Sequence, residues 1–93
     1  MKIEFDPAKN RRNVELRGLA FDLVADFDFD SAWLVIDDRK DYGEIRYRAI
    51  GLLKDEIVVI VFILREEAVR VISLRLASLK ERQGYEEKKQ EQL

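Results

Sequence analysis

Three apolar stretches crowd into residues 45–77: "IRYRAIGLL" at 45–53, "EIVVIVFIL" at 56–64 and "AVRVISLRLA" at 68–77. The joints between them, "LKDE" and "REE", are of hairpin length, so the three predict an antiparallel meander of strands rich in β-branched residues. The run "IVVIVFIL" at 57–64 is far shorter than the roughly 20 residues a membrane helix needs. It reads as part of a sheet. "AWLVI" at 32–36 is a further candidate strand, set off from the meander by the charged loop "DDRKDYGE".

Ahead of the meander, "KIEF" at 2–5 alternates and predicts a first strand. Asp6 is placed to cap a helix and Pro7 to open it, where a missing N–H costs nothing. That helix runs from about Pro7 to Arg17 and ends at Gly18, a residue suited to the left-handed conformation past a helix end. Leu19, Leu23, Val24 and Phe27 recur at near-helical spacing and predict a second short helix, ending before Asp30. After the meander, Ser78 and Glu81 stand three apart, the spacing of a capping box, and open a terminal helix. Its charge-rich end, about 86–93, reads as a frayed tail. The order predicts a single α+β domain over 1–93, with the helices packed on one sheet face.

The chain has 93 residues, enough for one core, and contains neither cysteine nor histidine. Disulfides, thiolate chemistry, the commonest zinc-ligand sets and Ser-His or Cys-His nucleophile pairs are therefore excluded. No cofactor or metal is expected. Seventeen basic against 19 acidic residues give a net charge of -2, so any polyanion must be met by a local patch and not by the field of the whole molecule. With no segment that resembles a signal peptide, the expected setting is soluble and cytoplasmic.

The most informative side chains are arginines placed in strands. If Lys54-Asp55 and Glu66-Glu67 are two-residue turns, pairing sets Arg46 opposite Ile63 and Ile63 opposite Arg70, with Arg48 further along the same face. Ser73 and Arg75 point the other way in this register, and a one-residue bulge would reverse them. Cations side by side repel unless something negative intervenes. One reading is a phosphate-binding patch, because the planar guanidinium fork matches phosphate oxygens and stabilises charge that builds during phosphoryl transfer. The other is that the arginines pair with Glu44, Glu66 or the acidic tail, or lie on a solvated face.

Other signals have plainer readings. "DFDFDS" at 26–31 begins like a calcium loop but puts Ser31 and Asp37 where glycine and glutamate belong, so it reads as a turn with Phe27 and Phe29 packed inward. "NRRNVELR" is interrupted by Glu15 and reads as a solvated helix face. Trp33 and Tyr47 are of a type that stacks on bases, yet each sits among apolar neighbours that favour core packing. Tyr85 lies in a polar helix with no apolar stripe to require it.

Over most of its length the chain resembles the BrnT family of small ribonuclease toxins. The resemblance is carried by "EFDPAKN" with Asn13, Gly18 and Phe21 after it, by "GEIRYRAIG" at 43–51, and by "VRVISLRLAS…ER…Y" ending at Tyr85. It departs from the family pattern at Leu16 and Arg17, and at Leu76, where many members carry another arginine. The resemblance implies a fold similar to RelE-type toxins, an RNA substrate cleaved without metal, and a DNA-binding antitoxin similar to BrnA, in a homodimer or a toxin–antitoxin heterotetramer. It places Glu44 and Arg46 in a "GExR" piece and Arg70, Ser73 and Arg75 in an "RxISxR" piece.

For such a nuclease the expected chemistry is attack by the RNA 2′-hydroxyl on the adjacent phosphorus. Arg46 and Arg75 would stabilise the phosphorane, Glu44 or Tyr85 would move the proton, and Arg48, Arg70 and Ser73 would hold RNA. The alternative function is a catalytically weak or inactive relative that acts as a protein-binding module.

Overall fold

The computed structural model describes residues 2–91. Its centre is a five-stranded sheet in the order β1-β5-β4-β3-β2, formed by β1 (Lys2–Glu4), β2 (Trp33–Ile36), β3 (Tyr47–Leu53), β4 (Glu56–Arg65) and β5 (Ala68–Leu76). Strands β3 to β5 are antiparallel neighbours, as their short joints require, and β2 pairs antiparallel with β3 across the longer loop 37–46. β1 joins the far edge in parallel, pairing with Ala68–Arg70. The two hairpin turns have the expected two residues, and both begin at a residue with positive φ, Lys54 at 55° and Glu66 at 54°.

Helix α1 (Pro7–Arg17) begins on Asp6, whose carboxylate accepts the Ala8 N–H at 3.4 Å, and ends at Gly18 with φ 70°. Its faces are polar, and Asn13 is its only buried residue. Hydrogen bonds anchor it. Asn13 Nδ2 donates to the Leu19 and Leu74 carbonyls at 2.8 Å each, and the Leu74 N–H donates to Asn13 Oδ1 at 3.4 Å. Because β1 pairs with only the first three residues of β5, the outer edge of β5 at Leu74 has no strand beside it, and the Asn13 amide takes that place.

The second helical segment is a single 3₁₀ helix at Phe21–Asp26, which seats Phe21 and Val24 in the core. Asn10 Oδ1 accepts the Phe21 N–H at 2.8 Å and fixes its start. "DFDFDS" forms a turn in which Asp28 accepts bonds from Asp30 and Ser31, with Phe27 buried and Phe29 packed edge-on to Phe27 and Phe62. Helix α2 (Leu79–Glu91) opens on the expected capping box: the Glu81 N–H donates to Ser78 Oγ at 3.2 Å and the Ser78 N–H donates to Glu81 Oε1 at 2.9 Å. Of the charge-rich end, residues 86–91 are helical and 92–93 lie outside the described residues.

The helices do not share one sheet face, which corrects the sequence expectation. Phe21, Val24 and Phe27 pack with Ala49, Ile60 and Leu74 on one face. Tyr85 of α2 packs with Ile50 and Val59 on the other, bordered by Trp33, Leu52, Ile57 and Ala77. Central strands β3 and β4 are therefore buried on both sides, so "IVVIVFIL" has no polar alternation to show which side is wet. Each large side chain fully buried here, such as Ile60 or Leu74, contributes about 1.5–3 kcal/mol.

Candidate functional site

The register of β4 on β5 decides where the arginines go. From Arg65↔Ala68 to Phe62↔Val71 the ladder is regular, but the next pair is Val61↔Ser73, so Ile72 is skipped as a bulge. Downstream of it the faces of β5 are inverted relative to a regular ladder. Ser73 joins the row Val35–Arg48–Val61–Ser73, and Arg75 the row Trp33–Ile50–Val59–Arg75. Both therefore stand on the face of Arg48, beneath α2. This corrects the regular-register reading, which sent them to the opposite side. Arg70 lies opposite Ile63 on that same face, as expected, while Arg46 sits one residue before the first pair of β3.

Glu81 answers what neutralises these cations. Its carboxylate receives two short bonds from Arg75, Nη1 to Oε1 at 2.7 Å and Nη2 to Oε2 at 2.8 Å, and Arg48 Nη1 stands 3.7 Å from Oε2. The Arg75 fork holds the Glu81 carboxyl well down, at about 2, aided by the Ser78 N–H, and Glu81 in turn raises Arg75. The partner is thus in the first turn of α2 and not Glu44, Glu66 or the tail. One residue both caps the helix and clamps it onto the arginine face.

The remaining candidates differ in setting. Arg46 is half-buried with its guanidinium 3.8 Å from the centre of the Tyr42 ring, and Arg70 lies in register with Glu4; among the described residues neither makes an ion pair. The Nε atoms of Arg46 and Arg48 and the hydroxyl of Tyr85 are buried without hydrogen-bond partners among the described residues. Glu44 is exposed in the loop leading to Arg46. In that loop Asp37 is buried and accepts two bonds from Arg39, at 2.7 and 2.8 Å, which hold its carboxyl below the ordinary range. Arg39 also lies near enough to Arg75 to oppose its charge. No group of three or more metal-ligating side chains occurs among the described residues.

The family model described as "Ribonuclease toxin, BrnT, of type II toxin-antitoxin system" matches residues 5–81. The chain belongs to the BrnT family of ribonuclease toxins. Its fold is also similar to the 1.1 Å crystal structure of the Brucella abortus ribonuclease toxin BrnT, with a TM-score of 0.66 and 34% identity, covering 84% of this chain and 97% of that one. A comparison with curated proteins gives no match. Membership in the BrnT family implies an antitoxin partner and an RNA target. No helix among the described residues is long and apolar enough to cross a membrane.

Against the BrnT pattern, the departures Leu16, Arg17 and Leu76 all lie exposed, and Leu76 adjoins the arginine face, its carbonyl accepting from Arg75 Nη1 at 3.4 Å. Sequence reading missed three residues that shape the site of this BrnT chain. Glu81 was visible only as a cap, Tyr42 only as a loop aromatic, and Arg39 only as part of a charged run. A carboxylate in the first turn of a helix that follows an arginine-bearing strand was the available signal for the first. For the other two no local pattern existed.

Proposed function

We propose that this chain cleaves RNA by metal-independent transesterification on the α2 face of the sheet and is neutralised in the cytoplasm by an antitoxin similar to BrnA. The observation that carries this reading is the bulge at Ile72, which puts Ser73 and Arg75 on the side of Arg48 and Arg70. A scissile phosphate lying on this face meets guanidinium donors from β3, from β5 and from the loop before β3, and Arg75, on turning its fork from Glu81 to the phosphate oxygens, stabilises the charge that develops in the phosphorane. Arg46 and Arg75 carry that stabilisation, while Arg48, Arg70 and Ser73 hold the strand. The unpaired Nε donors of Arg46 and Arg48 support this, since an arrangement built for stability alone would satisfy them.

Of the two proton-transfer candidates, Glu44 is the better supported. It is exposed two residues before Arg46, whereas the Tyr85 hydroxyl is buried under α2. Glu81 is a poor base because its carboxyl is held near 2. Its clamp on Arg75 favours a second reading, a weak nuclease acting chiefly as a protein-binding module. The two are separated by incubating purified protein with RNA. Arg46→Ala and Arg75→Ala should each lower the cleavage rate by about 10²-fold while the protein stays folded. Cleavage by either variant at the wild-type rate refutes this site, and wild-type protein that cleaves nothing while holding its antitoxin supports the binding module.

A further inference from the structure

Two cavities flank Trp33. One, of 560 Å³, lies between α2 and the sheet and is lined by Trp33, Val35, Arg48, Arg75, Lys80 and Glu81 among others. The second, of 240 Å³, lies further along α2 and is lined by Ser31, Trp33, Leu34, Tyr85, Lys88 and Lys89. Trp33 and helix α2 line both, so the cavities lie end to end along the groove between α2 and the edge strand β2. The contact that divides it is Gly84, where a Cβ would stand 2.5 Å from the indole.

The chemistry of this groove is uneven in an informative way. Arg48, Arg75 and Lys80 lie at one end and Lys88 and Lys89 at the other, with a half-exposed indole between them. Glu81, the one acid on its lining, already faces Arg75 and Arg48, and Lys88 pairs with the exposed Glu91 at 3.7 Å, which leaves Lys80 and Lys89 without an acid partner among the described residues. Asp28 lies close enough to Lys89 to feel its charge, but it is occupied by Ser31. On a chain whose net charge is -2, cations at both ends of a track with an aromatic plane at its middle match a polyanion that carries rings. Lys80 and Lys89 are nine helical residues apart, about 13 Å along the axis. An acidic protein segment would use the cations but not the indole.

We propose that the groove between α2 and β2 is the track that holds single-stranded RNA beside the arginine face, with one base stacked on Trp33 and flanking phosphates on Lys80 and on Lys88 and Lys89. This deepens the ribonuclease reading and rests on it. The track positions RNA; it takes no part in the chemical step.

Trp33 is the single tryptophan of the chain, so its fluorescence reports on the groove alone. The probe is an all-2′-deoxy oligonucleotide, which lacks the attacking hydroxyl and survives the titration. Binding should quench the indole. The Lys88→Glu/Lys89→Glu variant, which alters two exposed side chains, should melt with wild-type protein yet bind the oligonucleotide roughly tenfold more weakly at low salt, with a shallower dependence of affinity on salt. Unquenched fluorescence on saturation, or equal affinity of the double variant, overturns the track even when Arg46→Ala still lowers RNA cleavage. Loss of antitoxin binding with unchanged oligonucleotide binding reassigns the groove to the partner. Wild-type protein that neither binds the probe nor cleaves RNA sinks the nuclease reading along with it.

Discussion

Asn13 shows how much one side chain can hold. It sits on a helix with almost no apolar face, yet its amide replaces a missing strand beside Leu74 and also reaches Leu19. Asn13→Ala leaves the Leu74 carbonyl and N–H buried without partners, so stability should fall by about 2–4 kcal/mol, measured by urea unfolding. A loss below about 0.5 kcal/mol would mean that water replaces the amide. The role of Asn13 was not legible in the sequence, because an asparagine on a polar helix looks solvated until its partner, 61 residues away, is known. The caps were legible. Asp6, Pro7, Gly18 and the Ser78–Glu81 box act within one turn, and local chemistry suffices to read them.

At the scale of elements, the meander and its turns were readable from joint length, and both hairpins have the expected register at their tips. The placement of α2 was not. Nothing in its own sequence marks a buried face, since it is joined to the sheet by one tyrosine, one glycine and the pairing of Glu81 with Arg75 and Arg48. Gly84→Ala tests that joint. The added methyl meets Trp33 ring carbons at 2.5 and 3.0 Å, so the indole or the helix must shift. This should outweigh the gain of up to about 1 kcal/mol that alanine brings to a helix, leaving a net loss of roughly 1–2 kcal/mol in thermal or urea unfolding and altered Trp33 emission. A variant stabler than wild type with unchanged emission would show that the Gly84–Trp33 contact constrains nothing.

For the molecule as a whole, a net charge of -2 coexists with an arginine-bearing face into which Glu81 is set. Glu81 ties that face to stability. Its folded carboxyl is held at about 2 against an ordinary value of 4.5, so the unfolded chain takes up the proton first. The contribution is complete above about pH 5, and is lost as pH falls from 4.5 toward 2. Urea midpoints should therefore decline across that window, and Glu81→Gln should flatten the decline, with a milder loss at neutral pH where Arg75 keeps one bond. An identical pH profile in the variant would show that other carboxylates control acid unfolding.

The skipped residue in β5 works as a parity switch. Odd and even positions exchange sides after Val71, so that Leu74 feeds the α1 side and Arg75 the α2 side. Ironing the strand flat while keeping every residue would turn a leucine toward the charged helix and drive a guanidinium into the main core. Removing Ile72 altogether would leave each downstream side chain where it now stands. In this chain, the count of residues between Val71 and Ser73 governs the chemistry of a surface as firmly as the identity of any amino acid on it.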